Sequence, residues 1–188
     1  MSIALHPSLL KEAFIYFAKF PLMEGVLKSM FRLGRTSVNG YDDLKNEVNG
    51  LTPNSLVPEI LNFLFSSNED KLKAEIEDTG GIFMLLDYGQ LSSTPDKMKR
   101  NNDTFELGII IAQKLKPEEY DMAEILLLQD QLLNTMRKIR EIMIEDSKTS
   151  AFVKQLNLPH QISPWYAREL ANATGFSLTF SKVGIDII

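Results

Sequence analysis

The chain of 188 residues contains no cysteine. That absence removes disulfides, thiolate nucleophiles, zinc ribbons and iron–sulfur clusters together, and it suits a reducing compartment. A basic surplus is also missing: 20 Lys and Arg stand against 25 Asp and Glu, a formal net charge of −5. Nucleic-acid binders draw much of their affinity from neutralised phosphates, so DNA or RNA is not expected as the main partner. No stretch approaches the roughly 18 unbroken apolar residues of a membrane span. The apolar segment Ile3 to Phe20 is interrupted by Lys11, Glu12 and Lys19. It has neither a basic leader region nor a small-residue cleavage site. The expected location is therefore cytoplasmic when made.

Reactive groups are equally sparse. The two histidines, His6 and His160, each adjoin a proline and have no acidic or histidine partner at metal-ligand spacing. Asp87 and Glu106 near strands resemble part of a nuclease metal site, but no lysine follows Glu106 at the useful spacing. Gly80-Gly81 is not followed by the Lys-Ser or Lys-Thr of a phosphate loop and reads as a hairpin turn. Ser92-Ser93-Thr94 lacks the flanking glycines of a nucleophile elbow and reads as turn chemistry. No catalytic residue, metal ligand or cofactor is expected, and the chain reads as a non-enzyme.

What is present suffices for a core. A chain this long can bury roughly 70% of its unfolded surface, and its hydrophobic share of 44% is ordinary. Leu9, Leu10, Ala13, Phe14, Phe17 and Ala18 recur at helical spacing behind Ser8. Pro21 breaks that element, and a second amphipathic stretch runs from Leu22 to Leu33, ending at Gly34. Thr36 to Pro58, rich in Asn and Gly, reads as a loop, with a short helix expected from Pro58 to about Phe65. Leu72, Ala74 and Ile76 alternate with charged residues, which suits a strand hairpinned through Thr79-Gly80-Gly81 to Ile82-Phe83-Met84-Leu85-Leu86. A short helix over Glu69 to Asp78 satisfies the same residues.

Gln90 to Asp103 reads as a polar connection carrying Lys97, Lys99 and Arg100. Phe105, Leu107, Ile109 and Ile111 then share one strand face, with Ile110 and Ala112 on the other, the pattern of a strand partly buried on both sides. Pro117 is expected to open the longest helix, with Glu118 and Glu119 in its first turn. Its stripe is Ile125, Leu128, Leu132, Met136, Ile139 and Met143, and it ends near Glu145. Pro164 to Ala173 reads as one or two helical turns, and Gly175 to Val183 as a closing strand with Gly184 as a bulge. The expected fold is α+β: a small, mostly antiparallel sheet covered by one long helix, with an N-terminal helical segment. One domain over 1–188 is expected, with a division into a helical part (1–66) and an α+β core (67–188) left open.

Two groups of residues are candidates for an interaction surface. Phe14, Tyr16, Phe17, Phe20 and Phe31 together exceed what one helix face requires and read either as core or as an oligomer contact, with Phe14, Phe17, Phe20 and Phe31 as the candidate surface. Lys97, Lys99 and Arg100 form a compact basic loop, read as a solvated tip or as a contact for an acidic partner. If the rings are surface, replacing Phe14 and Phe17 by Ser should weaken association without unfolding the sheet. Trp165, the one tryptophan, is expected to pack on the sheet.

The order of elements carries a resemblance. A strand ending in Asp87-Tyr88-Gly89 leads through a polar loop to Phe105-Glu106-Leu107-Gly108-Ile109-Ile110-Ile111. A long helix follows, and then Gly175-Phe176-Ser177-Leu178-Thr179-Phe180. Over Glu69 to Ile188 this resembles phage tail terminator and tail-completion proteins, through patterns of residue type that fix no functional residue. The resemblance implies a structural subunit that joins a ring at the end of a tail tube, with itself and other tail proteins as partners and with virion association. The alternative expectation is a small carrier of apolar, lipid-like ligands beneath the Leu- and Met-rich helix.

Overall fold

The computed structural model describes residues 9–31, 38–51, 54–65, 69–95, 101–116, 118–157 and 161–185. The elements in chain order are helices α1 (Leu9–Ala18), α2 (Met23–Met30) and α3 (Tyr41–Asn49), then strand β1 (Ile60–Phe65) and helix α4 (Glu69–Glu77). Strands β2 (Ile82–Pro95) and β3 (Asn101–Lys114) precede helices α5 (Met122–Asp146) and α6 (Ala151–Lys154). Strands β4 (Leu156–Asn157), β5 (Ser163–Ala167) and β6 (Ala173–Ile185) close the chain.

The six strands form one sheet in the order β1-β2-β3-β6-β4, with β5 also paired to β6. Among the described residues only β1 and β2 run parallel, joined through α4, and every other pairing is antiparallel. The α+β expectation holds, with a mostly antiparallel sheet under the long helix α5. The sheet is buried on both faces, and β3 shows it residue by residue. Phe105, Leu107, Ile109 and Ile111 enter the larger apolar cluster, beneath α1, α5 and α6. Ile110 and Ala112 enter the smaller one, with Leu72 and Ile76 of α4 and the half-buried Trp165. The larger cluster includes residues on both sides of position 66, from Phe14 and Phe63 to Met84, Leu132 and Phe180.

Local chemistry sets the element ends. In α5 the Asp121 carboxylate accepts from the Glu124 N–H, and Glu124 accepts from the Asp121 N–H, each at 2.8 Å, a reciprocal capping box. The helix therefore starts at Met122 rather than beside Pro117, and Glu118 and Glu119 precede it. Helix α2 lies against the outer edge of β1. The Leu22 N–H donates to the Ile60 carbonyl at 2.8 Å, and a Cβ on Gly25 would stand 1.8 Å from the Leu61 carbonyl oxygen. Only glycine permits that approach, which covers a strand edge that would otherwise invite pairing.

Several expectations are corrected. Residues 60–65 form a parallel strand, not a helix, because Ile60, Phe63 and Leu64 are buried between the layers. The Lys/Glu-rich segment takes the helical alternative as α4, so Gly80-Gly81 turns a helix into β2. There Gly81 adopts φ +73, the left-handed region. The region read as loop contains α3, with its glycines at the two ends: Gly40 precedes Tyr41 and Gly50 follows Asn49. Strands β2 and β3 run on to Pro95 and from Asn101, so Ser92-Ser93-Thr94 lies in a strand. Pro164 and Trp165 belong to β5, where an edge position tolerates a residue without an N–H. Gly184 pairs with Asp103 without a register shift, so no bulge forms there.

Candidate interaction surface

The aromatic rings of the N-terminal helices are in the core. Phe14 is 3% exposed, Phe17 and Phe20 are 0% and Phe31 is 8%. Phe17 stacks on Phe180 of β6, with centroids 5.6 Å apart and planes at 13°. Phe14 lies 5.4 Å from Phe63 of β1, and Phe31 meets Tyr41 of α3 edge-on at 5.7 Å. The reason is enclosure. α1 lies between the sheet and its neighbours α3 and α6, so its apolar residues are surrounded on more than one side. These four residues therefore do not form an exposed contact surface, and Ser in place of Phe14 and Phe17 would disrupt the core. Lys97, Lys99 and Arg100 lie outside the described residues, as do His6 and His160.

The polar side of α1 is also consumed within the chain. Tyr16 Oη donates to Asp146 Oδ2 at 2.8 Å, and Lys19 Nζ donates to the same oxygen at 2.5 Å. The Lys19 ammonium sits 4.0 Å from the centre of the Tyr16 ring, a cation–π contact. Burial foremost, then the bond to Asp146 and its negative charge, hold the Tyr16 phenol protonated far above its ordinary range. A phenol so held keeps its proton and does not ionise to a reactive phenolate, and the arrangement clamps the end of α5 to α1. One helical turn before Tyr16, Glu12 lies 3.8 Å from Lys182 of β6, a lysine only 8% exposed.

The reactive candidates do not converge. Asp87 and Glu106 occupy exposed positions on adjacent strands. Among the described residues no group of three His, Cys, Asp or Glu could hold a metal ion. Two clefts have mixed or charged walls. One of about 220 Å³ lies between α2, β1 and α4, lined by Lys28, Asn62, Glu75 and Asp78 among others. The other, about 350 Å³, is lined by Arg137, Arg140, Glu141 and Ile162. Neither has the predominantly apolar lining that a lipid-like ligand requires.

Exposed apolar groups collect instead at the start of α5. Met122 is 83% exposed, and Leu126 and Leu127 are each 69%. Near the far end of the helix Ile144 is 37% exposed. The opposite side of α5 is fully engaged, with Leu128, Leu132, Met136, Ile139 and Met143 buried on β3 and β6. The sequence stripe identified that buried side. Leu126 and Leu127 fall outside that stripe, and periodicity marks a preferred face, not where the covering layer stops. No helix among the described residues is long and apolar enough to cross a membrane. No protein-family model, curated protein or solved structure matches this chain.

Proposed function

We propose that this chain is a non-enzymatic assembly protein that acts through protein–protein contacts, including contacts with copies of itself. The observation that carries the reading is the outward apolar end of α5, where Met122, Leu126 and Leu127 stand in solvent on a helix whose inner face is already buried. Large exposed side chains grouped on one element favour a protein contact over scattered surface chance. The most conspicuous polar cluster, Tyr16, Lys19 and Asp146, is spent on clamping two helices. More narrowly, we propose a tail-completion role on a phage or prophage particle. Support for that narrower role is the likeness of residue pattern over Glu69 to Ile188.

Light scattering coupled to size exclusion, over a range of concentrations, tests the broad reading. Mass that grows with concentration is the expected result, and a strict monomer throughout would sink self-association. Negative-stain images test the narrow reading: closed rings that cap tail tubes support it, and open or irregular assemblies count against it.

A further inference from the structure

Seven residues of α5 fall on one flank. At 3.6 residues per turn, positions 122, 126, 130, 133, 137, 140 and 144 lie within an arc of about 80°, turned roughly 125° from the buried stripe; Arg140 is half-buried. Met122, Leu126 and Ile144 are among the exposed large apolar residues of the chain, and Leu133 is half-buried. Asp130 and Arg137 are both exposed, and neither has an ion pair among the described residues. Asp130 accepts only a 3.2 Å bond from the Asn134 side-chain amide. Seven residues separate the acid from the base, about 10.5 Å along the axis, so they cannot meet within one helix.

We propose that α5 pairs with α5 of a second copy of this chain, antiparallel, about a two-fold axis through Leu133. This deepens the assembly reading and rests on it. An isologous contact requires that residue i meets j while j meets i. The flank satisfies that condition: the pairs 122/144, 126/140, 130/137 and 133/133 share a midpoint to within about half a residue, with Leu126 lying along the Arg140 side chain. Met122 then covers Ile144 at both ends, Leu133 packs on its own copy, and Asp130 meets Arg137 twice. The charge pattern thus identifies the occupant, because the same helix reversed supplies each missing counter-ion. The partner helix also roofs the groove lined by Arg137, Arg140, Glu141 and Ile162. The minimal unit is a dimer, and any ring built from it holds an even number of chains.

The test uses the full chain and two kinds of variant. In sedimentation or light-scattering titrations, Asp130→Arg and Arg137→Asp should each weaken association roughly tenfold or more, since each places like charges opposite one another twice. The double variant restores both pairs and should recover wild-type affinity within about threefold. Circular dichroism should be unchanged in all three, because both side chains are exposed. As a second measurement, the cysteine-free chain accepts a single thiol without background. With a mild oxidant added to accept the two electrons, Leu133→Cys should form a disulfide-linked dimer, and Leu127→Cys, on the other flank, should not. Association unaffected by either charge reversal, a double variant no better than the singles, or no Leu133→Cys dimer would each overturn the α5 pairing and leave the assembly reading standing. A wild-type monomer at every concentration would overturn both.

Discussion

Helix α1 carries Phe14, Tyr16 and Phe17 within ten residues, and none of these rings is more than 7% exposed. Helix α5 runs for 25 residues with a lower density of aromatic groups, yet it presents Met122, Leu126 and Leu127 to solvent. The difference comes from how many layers surround each helix. α1 is enclosed by the sheet, α3 and α6, so a wide apolar arc and the polar Tyr16 and Lys19 all find partners inside the chain. α5 has the sheet on one side, and among the described residues nothing covers its N-terminal turns on the other. Apolar density therefore reports how much a helix can bury. Where the covering elements stop decides what is left over.

The largest expected effect comes from breaking the enclosed helix. Phe17→Ala removes a fully buried ring stacked on Phe180. It should cost about 3–5 kcal/mol, or a fall in Tm of roughly 6–20 °C for a domain of this size. Calorimetry of the variant checks this. A loss under about 1 kcal/mol, the scale of a surface change, would return Phe17 to the role of an exposed contact.

That outcome turns on what periodicity can and cannot express. α1, the buried stripe of α5, and the two-faced pattern of β3 were legible because each repeats over several turns or residue pairs. β1 was not. Its burial follows no alternation, and Asn62 sits beside a register shift against β2, so ILNFLF behind Pro58 matched a helix start equally well. α4 alternates charged and apolar residues at a spacing both structures tolerate, and tertiary context selected the helix that links two parallel strands. β5 contains a proline that argues against a central strand but not against an edge. Of the candidate surface, Phe14 and Phe17 proved to be core, and nothing in their spacing reveals that α3 and α6 fold over them.

A smaller effect should follow at the seam where the two helices meet. Tyr16→Phe keeps the ring volume and deletes the bond to Asp146, which still holds Lys19. The expected loss near neutral pH is about 1.5–3 kcal/mol, the range for a hydrogen bond to a charged group. The pH dependence has a definite sign. In the native chain the phenol stays protonated above its ordinary pKa of 10.0, whereas the unfolded chain releases that proton near 10.0. Its contribution is therefore fully present below that pH and is lost as pH rises above it. The stability gap between wild type and variant should narrow from about pH 9.5 upward, read by denaturant titration at a series of pH values. A gap that stays flat or widens would mean that Asp146 does not hold the phenol in this way.

At the start of α5, Asp121→Ala deletes one half of the capping box and leaves the Glu124 N–H without its acceptor. Helix caps of this kind contribute about 1 kcal/mol, so thermal unfolding should move by only a few degrees. The association equilibrium should weaken as well if the exposed turn beside Met122 frays, which makes this variant a probe of how rigid the outward end of α5 must be.

The smallest effect on stability, and the most informative for function, is expected from Leu126→Ser and Leu127→Ser. Both side chains are 69% exposed, so each variant should unfold within about 0.5 kcal/mol of wild type. They differ by one residue and thus by about 100° around the helix. Leu126 shares the flank with Asp130, Leu133 and Arg137, and Leu127 does not. If α5 pairs with its own copy, Leu126→Ser should weaken association and Leu127→Ser should leave it unchanged, measured by light scattering at matched concentrations. Equal weakening by both would point to a broader contact that wraps the helix end, and weakening by Leu127→Ser alone would place the partner on the opposite flank. The pair separates the exposed apolar patch as a whole from the single stripe within it that has a charge pattern to match.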